Sequence, residues 1–195
     1  MTDYLDRNLL PLIFSINPAD NDSDIIQCLG GDDDIVSQQS LVIKFGIKME
    51  DFGNIVISDV TKNLLEDNNY VIIDGKKRQV DHLFVTKGGV VCYCEAKCSF
   101  KFDSEKIKAS NEKVKLLAET FGNIMPPIYF TPVRRVPRRS DILKFQKEGI
   151  MAGGMEWLSE QIDLPFSLDE YFNYLKDVCG PIMEEKGLIL KNANK

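Results

Sequence analysis

The sequence has no apolar run approaching the roughly 20 residues needed to span a bilayer. Its opening segment, Met1-Thr2-Asp3-Tyr4-Leu5-Asp6, has neither the basic start nor the unbroken apolar stretch of a secretion signal. No membrane association is expected, and the expected location is cytoplasmic. An even cysteine count is missing as well: there are five, three of them crowded at Cys92, Cys94 and Cys98, which suits reduced thiols rather than a disulfide framework. Net positive charge is also lacking. At −6 the chain has no global basic field, so a nucleic-acid role would rest on local basic clusters. An internal repeat, a long low-complexity tract and a Gly-x-x-x-x-Gly-Lys-Ser/Thr loop are all absent, which argues against solenoids and P-loop ATPases.

What remains is an ordinary globular composition, 44% hydrophobic and 28% charged. At 195 residues the length suits a single domain. Residues 17–34 are the most loop-like part of the N-terminal third, with room for one helical turn at Ile25, Ile26 and Leu29. From Ile35 to about Glu66 apolar residues recur at helical spacing (Leu41, Phe45, Met49, Phe52, Val56, Val60, Leu64), with Gly46 and Gly53 as expected breaks. Three strands joined by tight turns are expected next: Tyr70 to Ile73, Arg78 to Val85 and Val90 to Lys97, an antiparallel meander. A charged helix follows from about Ser104 to Phe121, then a fourth strand at Ile128 to Phe130, a basic loop, a helix near Asp141 to Lys147 and further short helices. That order predicts a mixed α/β domain.

The third strand reads Val90-Val91-Cys92-Tyr93-Cys94-Glu95-Ala96-Lys97. Side chains alternate along a strand, so Glu95 and Lys97 share a face while Cys92, Cys94 and Ala96 take the other. Asp81 lies on the preceding strand, where the hairpin brings it beside the Glu-Ala-Lys end. Two carboxylates and an ammonium thus converge at the end of a small sheet. Carboxylates are the ligands that Mg²⁺ requires, and a bound ion can polarise a phosphodiester and acidify water. The string alone is unspecific, since Asp74-Gly75-Lys76 and Glu184-Glu185-Lys186 match it too. Only Glu95-Ala96-Lys97 ends an apolar strand with an aspartate on the strand before it.

Asp81 followed by Glu95-Ala96-Lys97 at a strand end resembles the PD-(D/E)XK nuclease superfamily, which includes most type II restriction endonucleases. The likeness covers about residues 46–131. It implies a restriction-endonuclease-like α/β core, with a mixed central β-sheet and an antiparallel meander flanked by helices. It also implies one nuclease domain over 1–195, whose helical part from about 138 to 195 serves dimerisation or DNA contact. By that likeness Asp81 and Glu95 bind Mg²⁺ (Mn²⁺ substituting), and Lys97 sits by the attacking water. Many members carry a glutamate on the helix before the meander, and Glu50 is the best match, with Asp51 its neighbour. Val80 stands where the motif name has proline. The implied function is endonucleolytic hydrolysis of double-stranded DNA at a short specific site, by a homodimer, with room for a companion DNA methyltransferase. A structure-specific repair or recombination nuclease and an RNA endonuclease share the same fold.

Arg134, Arg135, Arg138 and Arg139 are the densest basic cluster, suited to phosphate or base-edge contact or equally to a solvated loop. Lys76, Lys77 and Arg78 precede Asp81, and Lys106 and Lys113 are candidates for the scissile phosphate. The lone histidine, His82, is expected on the opposite sheet face in a packing role. A zinc site from His82, Cys92, Cys94 and Cys98 is the third class, a non-catalytic zinc- or partner-binding module; buried cysteines on a strand are its plainer explanation. Trp157 reads as core or dimer contact.

Overall fold

The computed structural model describes residues 3–17, 38–65, 69–100, 104–122 and 125–188, without the side chains of 38 and 104–106. The turn expected at Ile25, Ile26 and Leu29 lies outside the described residues. The chain forms two compact units, residues 1–52 with 169–195, and residues 53–168.

The first unit is helical. It contains α1 (Asp3–Asn8), α2 (Leu10–Phe14), the first part of α3 (Gln38–Val60), α7 from its second residue (Leu168–Tyr174), a π-helical turn (Leu175–Cys179) and α8 (Gly180–Glu185). Leu5, Leu9, Ile13, Leu41, Met49 and Tyr171 are fully buried, and Phe52 stacks on Tyr171 at 6.1 Å between ring centroids. The first and last described helices are tied within this unit by polar contacts. Tyr174 donates to Asp6 at 2.6 Å, and the Lys186 ammonium donates to the carbonyls of Phe14 and Ile16, filling open acceptors after α2. The π turn closes with the Gly180 amide on the Leu175 carbonyl. Pro181, which follows, has no amide with which to continue the ordinary ladder.

The second unit holds the sheet. Its strands are β1 (Tyr70–Ile73), β2 (Lys76–Gln79), β3 (His82–Val85), β4 (Val91–Ala96), β5 (Ile128–Phe130) and β6 (Met151–Gly153), with α4 (Ser104–Thr120), α5 (Arg139–Gln146) and α6 (Met155–Gln161) between and after them. The order β3-β4-β5-β6 is mixed: β3 and β4 are antiparallel, and β5 and β6 run parallel to β4. On one face Leu83, Tyr93 and Tyr129 pack with Val114 and Leu117 of α4 and Phe145 of α5. On the other, His82 meets Gly53 in the last part of α3, and Phe130 lies 5.9 Å from Trp157 of α6. Residues 62–64 run along the outer edge of β3, with the Leu64 amide on the Leu83 carbonyl and the Val85 amide on the Lys62 carbonyl, so that edge is covered.

Three expectations need correction. The meander splits: β1 and β2 form a separate two-stranded ribbon, and the expected strand from Arg78 to Val85 is broken at Val80 and Asp81. Val80 turns its side chain into the core and its amide to the Asn69 carbonyl. The Asp81 carboxylate, not a main-chain carbonyl, receives the Ala96 amide from β4. Second, α3 is continuous through Gly46 and Gly53. Gly53 is required by space: a Cβ there would lie 2.8 Å from His82 Cε1. Third, β6 carries only Met-Ala-Gly and has no strand signature of its own. Among the described residues, no helix is long and apolar enough to cross a membrane.

Candidate active site

Asp81 precedes β3, and Glu95 and Lys97 lie at the end of β4. Because β3 and β4 are antiparallel, the start of one and the end of the other coincide. Both carboxylates are buried, Asp81 at 3% exposure and Glu95 at 6%. Asp81 Oδ2 accepts the Ala96 amide at 2.9 Å and lies 3.6 Å from Lys97 Nζ. Lys97 Nζ donates to Glu95 Oε1 at 2.8 Å. From α4, Lys113 Nζ spans both oxygens of Glu95, at 2.8 Å to Oε1 and 2.6 Å to Oε2. The Tyr93 hydroxyl, two residues back on the same strand face, donates to Oε2 at 2.6 Å. The cluster therefore has two carboxylates against two ammonium groups, both half-buried.

The carboxylates are tuned apart. Burial, then repulsion from Glu95, pushes Asp81 up to about 6, against the opposing pull of Lys97, Lys113 and the Ala96 amide. Burial also acts to raise Glu95, but Lys97 and Lys113 outweigh it and hold that carboxyl below its usual range. Separation of two neighbouring acids by environment is a feature of functional sites. Burial and Glu95 push the Tyr93 phenol far above its ordinary range, so it stays a donor. Tyr129, raised by burial and by Glu95, donates to buried Asn111 of α4 at 3.0 Å and supports the same face.

Other residues singled out in the sequence fall in several places. Lys113 reaches the Glu95 carboxylate directly, whereas the side chain of Lys106 lies outside the described residues. Glu50 is on α3 in the first unit, and Asp51 there pairs with Lys48 at 3.2 Å. Arg135, Arg138 and Arg139 are exposed and Arg134 is half-buried. Their loop is anchored where the Met155 and Glu156 amides meet the Arg134 and Arg135 carbonyls. Since β4 and β5 are parallel, this loop leaves β5 at the same sheet end as Lys97, whose amide donates to the Phe130 carbonyl. Lys76 and Lys77 are exposed on the ribbon, while Arg78 is half-buried with its Nε enclosed.

His82 does take the opposite face. Its Nδ1 is 2.8 Å from Asn54 Oδ1, Nε2 has no partner among the described residues, and burial lowers it to about 4, so the ring is neutral. Cys92 and Cys94 share that buried face, and burial pushes Cys92 up to about 12 and Cys94 well above its normal value. Such thiols resist becoming the thiolates that zinc needs. Among the described residues no three His, Cys, Asp or Glu side chains form a group able to hold a metal ion. A hard cation would meet two carboxylate donors here, Asp81 and Glu95, and one or two carboxylates plus substrate phosphate are what Mg²⁺ commonly uses.

Sequence reasoning missed Tyr93 and Asn111 and placed Lys113 only as a phosphate contact. Alternation already puts Tyr93 beside Glu95. The reach of α4 across the sheet has no sequence signal. No protein-family model matches the chain, and no curated protein matches it.

Proposed function

We propose that this protein is a Mg²⁺-dependent endonuclease of the PD-(D/E)XK type, hydrolysing phosphodiester bonds of double-stranded DNA at a short specific site in the manner of a type II restriction enzyme. The supporting observation is the meeting of four side chains at one end of a mixed sheet, with Lys97 within ion-pairing distance of Asp81 and hydrogen-bonded to Glu95, and Lys113 hydrogen-bonded to Glu95. The arginine loop leaves the sheet at that same end.

Asp81 and Glu95 would hold the divalent cation. When bound, the cation supplies charge neutralisation at the phosphoryl oxygens and a lowered pKa for water. The other roles belong to the chain. The Ala96 amide fixes the Asp81 carboxylate, and Tyr93 and Lys113 fix that of Glu95. Lys97 donates hydrogen bonds to the attacking water and steadies the negative charge that grows on the phosphoryl group. The attacking water gives up a proton to solvent as its oxygen bonds to phosphorus, one phosphorus–oxygen ester bond breaks, and the departing oxygen takes up a proton from solvent. Two ammonium groups already balance the two carboxylates, so the site with a cation held there would be net positive and suited to a phosphate.

The test is incubation of the purified full chain with long duplex DNA in Mg²⁺, beside EDTA and beside Lys97→Ala. Discrete bands that need the metal and fall by about 100-fold or more in the variant are expected. Intact duplex sinks the restriction-enzyme reading, and cutting of branched DNA or RNA instead moves the substrate to the related nuclease classes.

A further inference from the structure

The β1–β2 ribbon stands outside the main sheet, with Tyr70 paired to Gln79, Val71 to Arg78, Ile72 to Lys77 and Ile73 to Lys76. Cross-strand partners share a face. One face holds Val71, Ile73, Arg78 and Lys76, and Val71 and Ile73 pack on the hydrophobic core. The other holds Tyr70, Ile72, Lys77 and Gln79, all exposed, with Ile72 at 79% and Tyr70 at 48%. Lys77 Nζ sits 3.9 Å from the centre of the Tyr70 ring. An isoleucine this open on a strand is a cost to solubility that folding does not require.

Charge identifies the occupant. Residues 70–79 carry Lys76, Lys77 and Arg78 against Asp74 alone, in a chain of net charge −6. A ribbon so charged repels its own copy, and lysine on a strand edge discourages sheet-to-sheet pairing. It attracts a polyanion. A two-stranded ribbon also fits the major groove of duplex DNA, where aliphatic groups meet thymine methyls and carboxamides meet adenine edges. Position agrees: the Val80 amide closes the ribbon on Asn69, and the next residue is Asp81. At about 3.3 Å per residue, Lys76 reaches no more than about 17 Å from Asp81.

Resting on the nuclease reading, we infer that the outer face of this ribbon is the surface that enters a groove of the duplex, with Tyr70, Ile72 and Gln79 against base edges and Lys77 against a phosphate. The full chain is titrated into a fluorescein-labelled duplex about three helical turns long, with Ca²⁺ replacing Mg²⁺, and anisotropy is read at several salt concentrations. Ile72→Ser and Tyr70→Ala each weaken binding roughly tenfold with an unchanged salt slope and thermal midpoint. Lys77→Ala lowers the slope by about one. Binding by all three variants equal to wild type overturns the inference, as does absence of duplex binding by the wild type. Sedimentation showing a wild-type dimer made monomeric by Ile72→Ser, with DNA binding unchanged, overturns it in favour of a second copy. If ribbon-dependent binding holds but Mg²⁺ yields no cleavage, the nuclease reading fails and the ribbon stands; cleavage that ignores the ribbon variants has the reverse meaning.

Discussion

Asp81 is a residue held against its own preference. Its folded value of about 6 exceeds the ordinary 3.8, so the native state binds the extra proton between those values. This contribution to stability is full below about pH 4 and is lost as the pH rises through 6. His82 has the opposite sign: with a folded value near 4 against 6.5, its contribution is full above pH 6.5 and is lost as the pH falls through 4. In the wild type the two slopes oppose each other between pH 4 and 6. Asp81→Asn keeps an acceptor for the Ala96 amide and removes the buried charge. The variant is expected to gain roughly 1–3 kcal/mol at pH 7.5, lose catalysis, and show a steeper loss of stability on acidification from pH 6.5 to 4 than the wild type. Urea midpoints across that range measure all of it except catalysis. A variant no more stable than the wild type at pH 7.5 contradicts the strained carboxylate.

At the scale of elements, α3 and β3 meet through a glycine. In a free helix Gly→Ala stabilises by up to about 1 kcal/mol. In α3 the added methyl would lie 2.8 Å from a ring whose Nδ1 is tied to Asn54 and whose edge faces Phe130 at 6.0 Å. Gly53→Ala is therefore expected to destabilise by about 1–3 kcal/mol, and to turn stabilising in a His82→Ala background, where the space opens. A double-mutant cycle from denaturation curves reads the coupling; additive effects would place the ring elsewhere. The broken β2–β3 strand belongs to this scale too. No glycine or proline interrupts Arg78 to Val85, and the hydrogen bond that the Ala96 amide donates to the Asp81 carboxylate shows why the strand breaks there.

For the molecule as a whole, the charge balance is acidic while the arginine loop and the ribbon are basic. Binding to DNA is accordingly expected to be local and steeply salt-dependent. A symmetric duplex site cut on both strands needs two active centres, and a two-fold dimer supplies them. Sedimentation of the full chain with its cleaved sequence in Ca²⁺ is expected to give two protein chains per duplex. One chain per duplex would restrict the proposal to a nicking or single-site enzyme.

The sequence by itself determined the mixed α/β order of elements, the helical spacing of apolar residues from Leu41 to Val60, the strand carrying Glu95 with Lys97 just past its end, and the face on which Glu95 and Lys97 lie. These follow from local periodicity, which one segment expresses alone. It also placed Asp81 next to that strand, because a hairpin with a short turn leaves little choice. Tertiary structure decided the rest. Lys113 joins Glu95 because α4 crosses the sheet between parallel strands, and β6 exists because β5 offers an edge to three residues with no strand character. Gly53 proved to be a contact rather than a break because the space beside it is filled by His82, 29 positions along the chain. Burial pushes both acids up, and only at Glu95 do Lys97 and Lys113 outweigh it, so contacts that no local pattern states make two similar acids chemically different.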